Sequence, residues 1–174
     1  MRIKSMTAMF VTTMAFAAYA GDAARPTQVA MGGNDTQKFF EEAASANKLE
    51  VEVGRLAAQK ASNPQLKSFG QQMVTDHTKA SLELQTLATR KGITLPTTMS
   101  DAHQKKLDKL REEKAGKDFD QEFRDVMIDS HQEAVSLFED TAKDAQDPDV
   151  KSFAAKMLPT LQHHEQQAKA LPKV

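Results

Sequence analysis

Four residues of this chain carry strong chemistry in an apolar setting: Glu50, His77, His131 and His164. Each lies near the middle of a stripe that steps by three and four residues. The first stripe reads Phe39, Ala43, Ala46, Glu50, Val53, Ala57, and the second Leu66, Phe69, Met73, His77, Ala80, Leu84, Leu87. The third reads Phe123, Met127, His131, Ala134, Phe138, Thr141, and the fourth Val150, Phe153, Met157, Leu161, His164, Ala168, Leu171. This spacing keeps a set of residues on one face of an α-helix. Three imidazoles and a carboxylate converging among apolar side chains form a plausible ligand set for one transition-metal ion: zinc, copper or iron. The same four residues also suit a metal-free polar layer, in which a carboxylate pairs with a protonated imidazole and specifies helix register.

Other residues extend the candidate site. Met73 precedes His77 by four positions and Met127 precedes His131 by four, and a thioether beside an imidazole favours copper. Methionine on a helix seam is far more often core filler. Asp76 and Asp129 flank the seam histidines, either as outer acceptors that orient an imidazole or as ordinary surface acids. His163 points away from the seam that holds His164 and reads as solvated, and His103 reads as a surface residue on a charged helix.

Elements that could bring these residues together follow from a repeat. "NPQLKSFGQQMV" at 63–74 matches "DPDVKSFAAKML" at 147–158 at an offset of 84, and Phe39 and Phe123 share that offset. Asn63-Pro64 and Asp147-Pro148 each place a capping side chain before a proline at the first helical position. The predicted helices run from about Asn34 to Ser62, from Pro64 to Gly92, from a capping-box-like Asp118 to the second turn, and from Pro148 to about Leu171. Each half of the repeat is therefore a helical hairpin. Between them lie about 25 residues, including a short charged helix opened by Ser100-Asp101, anchored by Leu107 and Leu110 and stopped by Gly116. The connection is long enough to cross a bundle from end to end.

Heights along the helices then coincide. Glu50 and His77 lie equally far from the 63/64 turn, and His131 and His164 equally far from the 147/148 turn. At ~1.5 Å per residue the first pair sits roughly 20 Å from its turn and the second roughly 25 Å from its own. With the turns at opposite ends of helices roughly 42 Å long, the pairs meet near mid-height. The expected fold is all-α: a four-helix bundle of two repeated hairpins joined by a long crossover with a short extra helix, the connectivity of ferritin-like bundles.

Composition limits the partners. A short basic start, the apolar run "MTAMFVTTMAFAA" and Ala18-Tyr19-Ala20 make a secretion signal over residues 1–20. The run is too short for stable membrane insertion, and no cysteine is present for lipid attachment or disulfides. "GDAARPTQVAMGG", residues 21–33, reads as a flexible leader before the domain at 34–171. Setting aside Arg2 and Lys4 reduces the 23 basic residues to 21 against 24 acidic, a formal charge of −3 that gives no reason to expect nucleic acid. The expected location is the periplasm, with release from the cell as the alternative. Tyr19, the only tyrosine, falls in the signal, so a tyrosyl radical is excluded. Nothing in the composition specifies an oligomeric state.

"ANKLEVEVGRLA", "LKSFGQQMVTDHTKA", "FDQEFRDVMIDSHQEAV" and "KMLPTLQHHEQQA" together resemble a family of exported bacterial proteins described as a domain of unknown function within the ferritin-like superfamily. The resemblance implies a four-helix bundle in the cell envelope and no established activity. Di-iron sites of that superfamily use Glu-x-x-His pairs. Here Val74, Ile128 and Leu161 stand three residues before the seam histidines, so no di-iron chemistry transfers. Three readings follow: metal handling or envelope stress protection through a bound transition metal, a metal-free structural or interaction module, and, least supported, a di-iron redox enzyme.

Overall fold

The computed structural model describes residues 33–173, so the expected secretion signal and the leader up to residue 32 lie outside the described residues. Among the described residues there are five helices and no strand: α1 (Gly33–Lys60), α2 (Pro64–Lys91), α3 (Asp101–Glu112), α4 (Lys117–Asp144) and α5 (Pro148–Ala170). Gly33, expected to close the leader, already belongs to α1.

Both proline openings form as their residue types dictate. The Asn63 side chain accepts from the Gln65 N–H, and Asp147 accepts from the N–H groups of Asp149 and Val150. Gly92, at φ 67°, closes α2 in the left-handed region that other residues avoid. Two boundaries differ from expectation. α1 stops at Lys60, not Ser62, because the backbone N–H groups of Ser62 and Asn63 turn to the Asp120 carboxylate, at 2.8 and 3.1 Å. Asp118 does not cap α4: the cap is Gly116 at φ 115°, with no side-chain bond, and Asp118 lies exposed in the first turn.

Packing follows the repeat. α1 and α2 form one hairpin, α4 and α5 the other, and α1 faces α4 while α2 faces α5. The first turn meets the start of α4 through Asp120, whereas Lys91 at the end of α2 pairs with Asp147 and Asp149 at the second turn. The turns are thus at opposite ends, and the segment 92–116 crosses between them. α3, within that segment, lies over α1 and α4, with Leu107 and Leu110 fully buried. Gly54 and Gly70 set the spacing of the first hairpin. A Cβ on Gly54 would stand 2.5 Å from the Gly70 carbonyl oxygen, so only glycine allows this approach.

The interior divides into two apolar halves. One, toward the first turn, holds Leu49, Val53, Met73, Phe119, Phe123 and Met127. The other, toward the second turn, holds Phe39, Phe40, Leu84, Leu87, Phe138 and Leu161. Between them lies a polar layer. No helix of the described residues is long and apolar enough to cross a membrane.

Candidate metal centre

His77 on α2, His131 on α4 and His164 on α5 form a nearly equilateral triangle, with ring centroids 5.6, 5.6 and 5.5 Å apart. Each offers a nitrogen, and these three nitrogens all lie within 4.8 Å of one another. The rings are buried: His77 is 5% exposed, His131 1% and His164 1%.

The outward nitrogens are all engaged by acceptors. His77 Nδ1 meets Asn47 Oδ1 at 2.9 Å, His131 Nδ1 meets the Met127 carbonyl oxygen at 2.8 Å, and His164 Nε2 meets Asp76 Oδ2 at 3.0 Å. A carbonyl or a carboxylate oxygen can only accept, so in the neutral ring the proton sits on the outward nitrogen. The inward nitrogens, His77 Nε2, His131 Nε2 and His164 Nδ1, therefore present lone pairs. All three are buried without a hydrogen-bond partner, and with Glu50 Oε2 they are the only such side-chain atoms among the described residues. Unpaired buried polar atoms are destabilising by about 1–3 kcal/mol each, which makes four of them in one layer a call for a ligand. They border a cavity of about 30 Å³, room for one ion or one water, closed by Ala43, Ala80, Ala134 and Leu161.

Electrostatics favour the neutral form of two of the rings. Burial, with His131 and His164 close by, holds His77 well below the ordinary imidazole range. Burial and His131 also lower His164, against the raising effect of Asp76. Glu50 moves up because it is buried, and His131, the Ser130 hydroxyl and Lys106 only partly oppose that. His77 and His164 rings held toward the neutral form, beside a carboxyl raised by burial, suit a cation.

Glu50 was expected among the ligands, and the structure sets it one step back. It is not in the group of mutually close nitrogens. Its Oε1 accepts from the Ser130 hydroxyl at 2.5 Å and stands 3.7 Å from His131 Nδ1, on the outward side of that ring. Glu50 still lines the cavity, and its Oε2 is buried without a partner. Asp76, open to either role in the sequence, meets His164 across the bundle and not its sequence neighbour His77. Asp129 is exposed and makes no bond to a histidine, because its face of α4 turns outward. The side chains of Met73 and Met127 are fully buried in the apolar half next to the site and do not line the cavity. Met127 contributes its carbonyl instead, and Met157 is the methionine that lines the cavity.

His103, expected at the surface, is buried and bonds Ser45 Oγ at 2.6 Å, which ties α3 to α1. His163 is exposed as expected. Asn47 and Ser130 escaped the sequence reading. Asn47 stands three residues before Glu50, on the same helical face, and Ser130 stands beside His131; those positions were the available signals.

The family profile of a domain of unknown function (DUF4142) matches residues 20–171. No curated protein matches the chain. Similar folds occur in the solved structures "CopM in the Cu(II)-bound form" and "CopM in the Cu(I)-bound form". Both are 23% identical with a TM-score of 0.64, covering 77% of this chain and 93% and 92% of theirs. A DUF305 fragment from Deinococcus radiodurans is similar at 12% identity and a TM-score of 0.68, over 79% of this chain and 94% of the fragment. At such identities the likeness speaks for a shared helical fold alone.

Proposed function

The chain belongs to the DUF4142 family, a domain of unknown function, and from that premise we propose that this member binds one transition-metal ion in its core for metal handling. The observation that carries this reading is the set of orphaned acceptors. His77, His131, His164 and Glu50 line a single small cavity, and among the described residues no donor answers their inward nitrogens or Glu50 Oε2. His77, His131 and His164 hold the ion, and Glu50 balances its charge from behind His131. When bound, the ion supplies the positive charge that all four atoms lack. The protein residues do the rest: Asn47, the Met127 carbonyl and Asp76 hold the ring protons outward and so keep the inward nitrogens basic.

Among zinc, copper and iron, copper is the first choice. Several solved structures of similar fold are described as copper- or silver-bound, and Met157 lines the cavity. The N-terminal stretch read as a secretion signal supports a role outside the cytoplasm, in metal handling or stress protection of the envelope. The opposed turns and full-length crossover support ferritin-like connectivity. Iron redox chemistry draws no support, because among the described residues only one carboxylate, Glu50, is buried in the layer.

Metal analysis of the purified protein tests the reading. One ion per chain is expected, and its loss in His77→Ala and in His164→Ala. Absence of stoichiometric binding across copper, zinc and iron would instead establish the metal-free layer. Equal binding by the double variant would place the ion elsewhere.

A further inference from the structure

The three-histidine cavity is closed on most sides, and the closures differ in kind. Along the bundle axis it lies between the two apolar halves, one lining it with Phe138 and Phe153 and the other, with Met73, Met127 and Phe123, packed beyond its lining. Sideways, the α1–α2 seam is drawn tight by Gly54 and Gly70, and α4 packs closely along α5. The α1–α4 seam is roofed by α3, which His103 and Lys106 fasten to Ser45 and Glu133. That leaves the α2–α5 seam, the sparsest of the four.

Solvent exposure marks the same seam. Five residues that line the cavity also reach the surface, and four of them, Asp76, Phe153, Met157 and Thr160, lie on α2 and α5. Ala46 on α1 is the fifth. The Asp76 side chain is 38% exposed on its outer side while its Oδ2 holds His164 Nε2 on the inner. Pro159 lies inside α5 between Met157 and Thr160, and its missing N–H leaves the helix one hydrogen bond short there.

We propose that the ion reaches the three imidazoles laterally, between α2 and α5, by way of an outer station made of Asp76 and Met157. This rests on the ion reading above. Asp76 attracts the cation from solvent, the Met157 thioether offers a soft second contact, and His164 receives it, since that ring already touches both station and cavity. Thr160, small and exposed, keeps the mouth open.

The probe is Cu(II), mixed with the full chain in a stopped-flow instrument and followed by the imidazole–copper absorbance; release into excess chelator gives the reverse rate. Thr160→Phe covers the mouth without touching a ligand, so loading and release should slow by the same factor while Kd and the one-ion stoichiometry stay unchanged. Asp76→Asn keeps an acceptor for His164 but removes the charge, so loading should slow about tenfold and lose most of its salt dependence. Gln132→Phe, at an exposed position of α4, should load like the parent. Parent-like loading by Thr160→Phe, or equal slowing by Gln132→Phe, overturns the lateral route while leaving the site intact. If the parent chain takes up no copper at all, the ion reading falls and the route with it.

Discussion

At the scale of single residues, the site is defined by where protons are kept. Each histidine gives its N–H to an outer acceptor, so removing an acceptor should weaken the site without removing a ligand. Asn47→Ala leaves His77 Nδ1–H unpaired and frees the tautomer; ion affinity should fall about 10–100-fold, measured by competition with a chelator of known strength. Acid acts on the same groups. The unfolded chain takes up protons at its histidines near the ordinary value of 6.5, whereas folded His77 and His164 resist them to lower pH. Their contribution to stability is therefore complete above about pH 6.5 and is lost as pH falls from there through the lowered folded values. Glu50 acts in the opposite sense: held up by burial, it favours the fold below its ordinary 4.5 and loses that contribution as pH rises. Thermal melts of the metal-free protein should drop on acidification below about pH 6.5, and His77→Ala should flatten that slope.

At the scale of elements, two contacts hold the hairpins where the histidines need them. The Gly54–Gly70 approach leaves no space for a methyl group. Gly70→Ala would set its Cβ 2.7 Å from Ala57 Cβ and 2.9 Å from the Gly54 carbonyl oxygen, forcing α1 and α2 apart. A loss of about 1–3 kcal/mol is expected in chemical denaturation. Asp120 is the second contact: almost fully buried, it accepts from Ser62 N, Ser62 Oγ and Asn63 N and so locks the first turn onto α4. Asp120→Ala strands those donors and should be destabilising by a similar amount, with its effect on ion affinity smaller than that of Asn47→Ala.

At the scale of the whole molecule, a ligand at the boundary between two apolar halves couples them. An ion bound only by the folded chain stabilises it by about 2.7 kcal/mol at a concentration 100 times Kd. Unfolding should shift upward with added copper in the parent, and the shift should vanish in His77→Ala and His164→Ala, which scanning calorimetry would register. The side chains on either side of the layer, such as Leu49, Met127 and Phe40, are fully buried.

Much of this was legible in one dimension. A helix rises a fixed ~1.5 Å per residue, so once the Asn-Pro and Asp-Pro turns are located, the sequence alone determines the height of Glu50, His77, His131 and His164. The period of the apolar stripes likewise determines that all four point inward. The tertiary structure decided the rest, because it depends on how each helix is rotated and on residues remote in the chain. Asn47 lies 30 positions from His77 and Asp76 lies 88 from His164. Those distant partners select which nitrogen of each ring faces the cavity. Helix rotation sets Glu50 behind His131, turns Asp129 to solvent and buries His103 under α3. Sequence periodicity specifies a level and a face; only packing specifies which atom meets which.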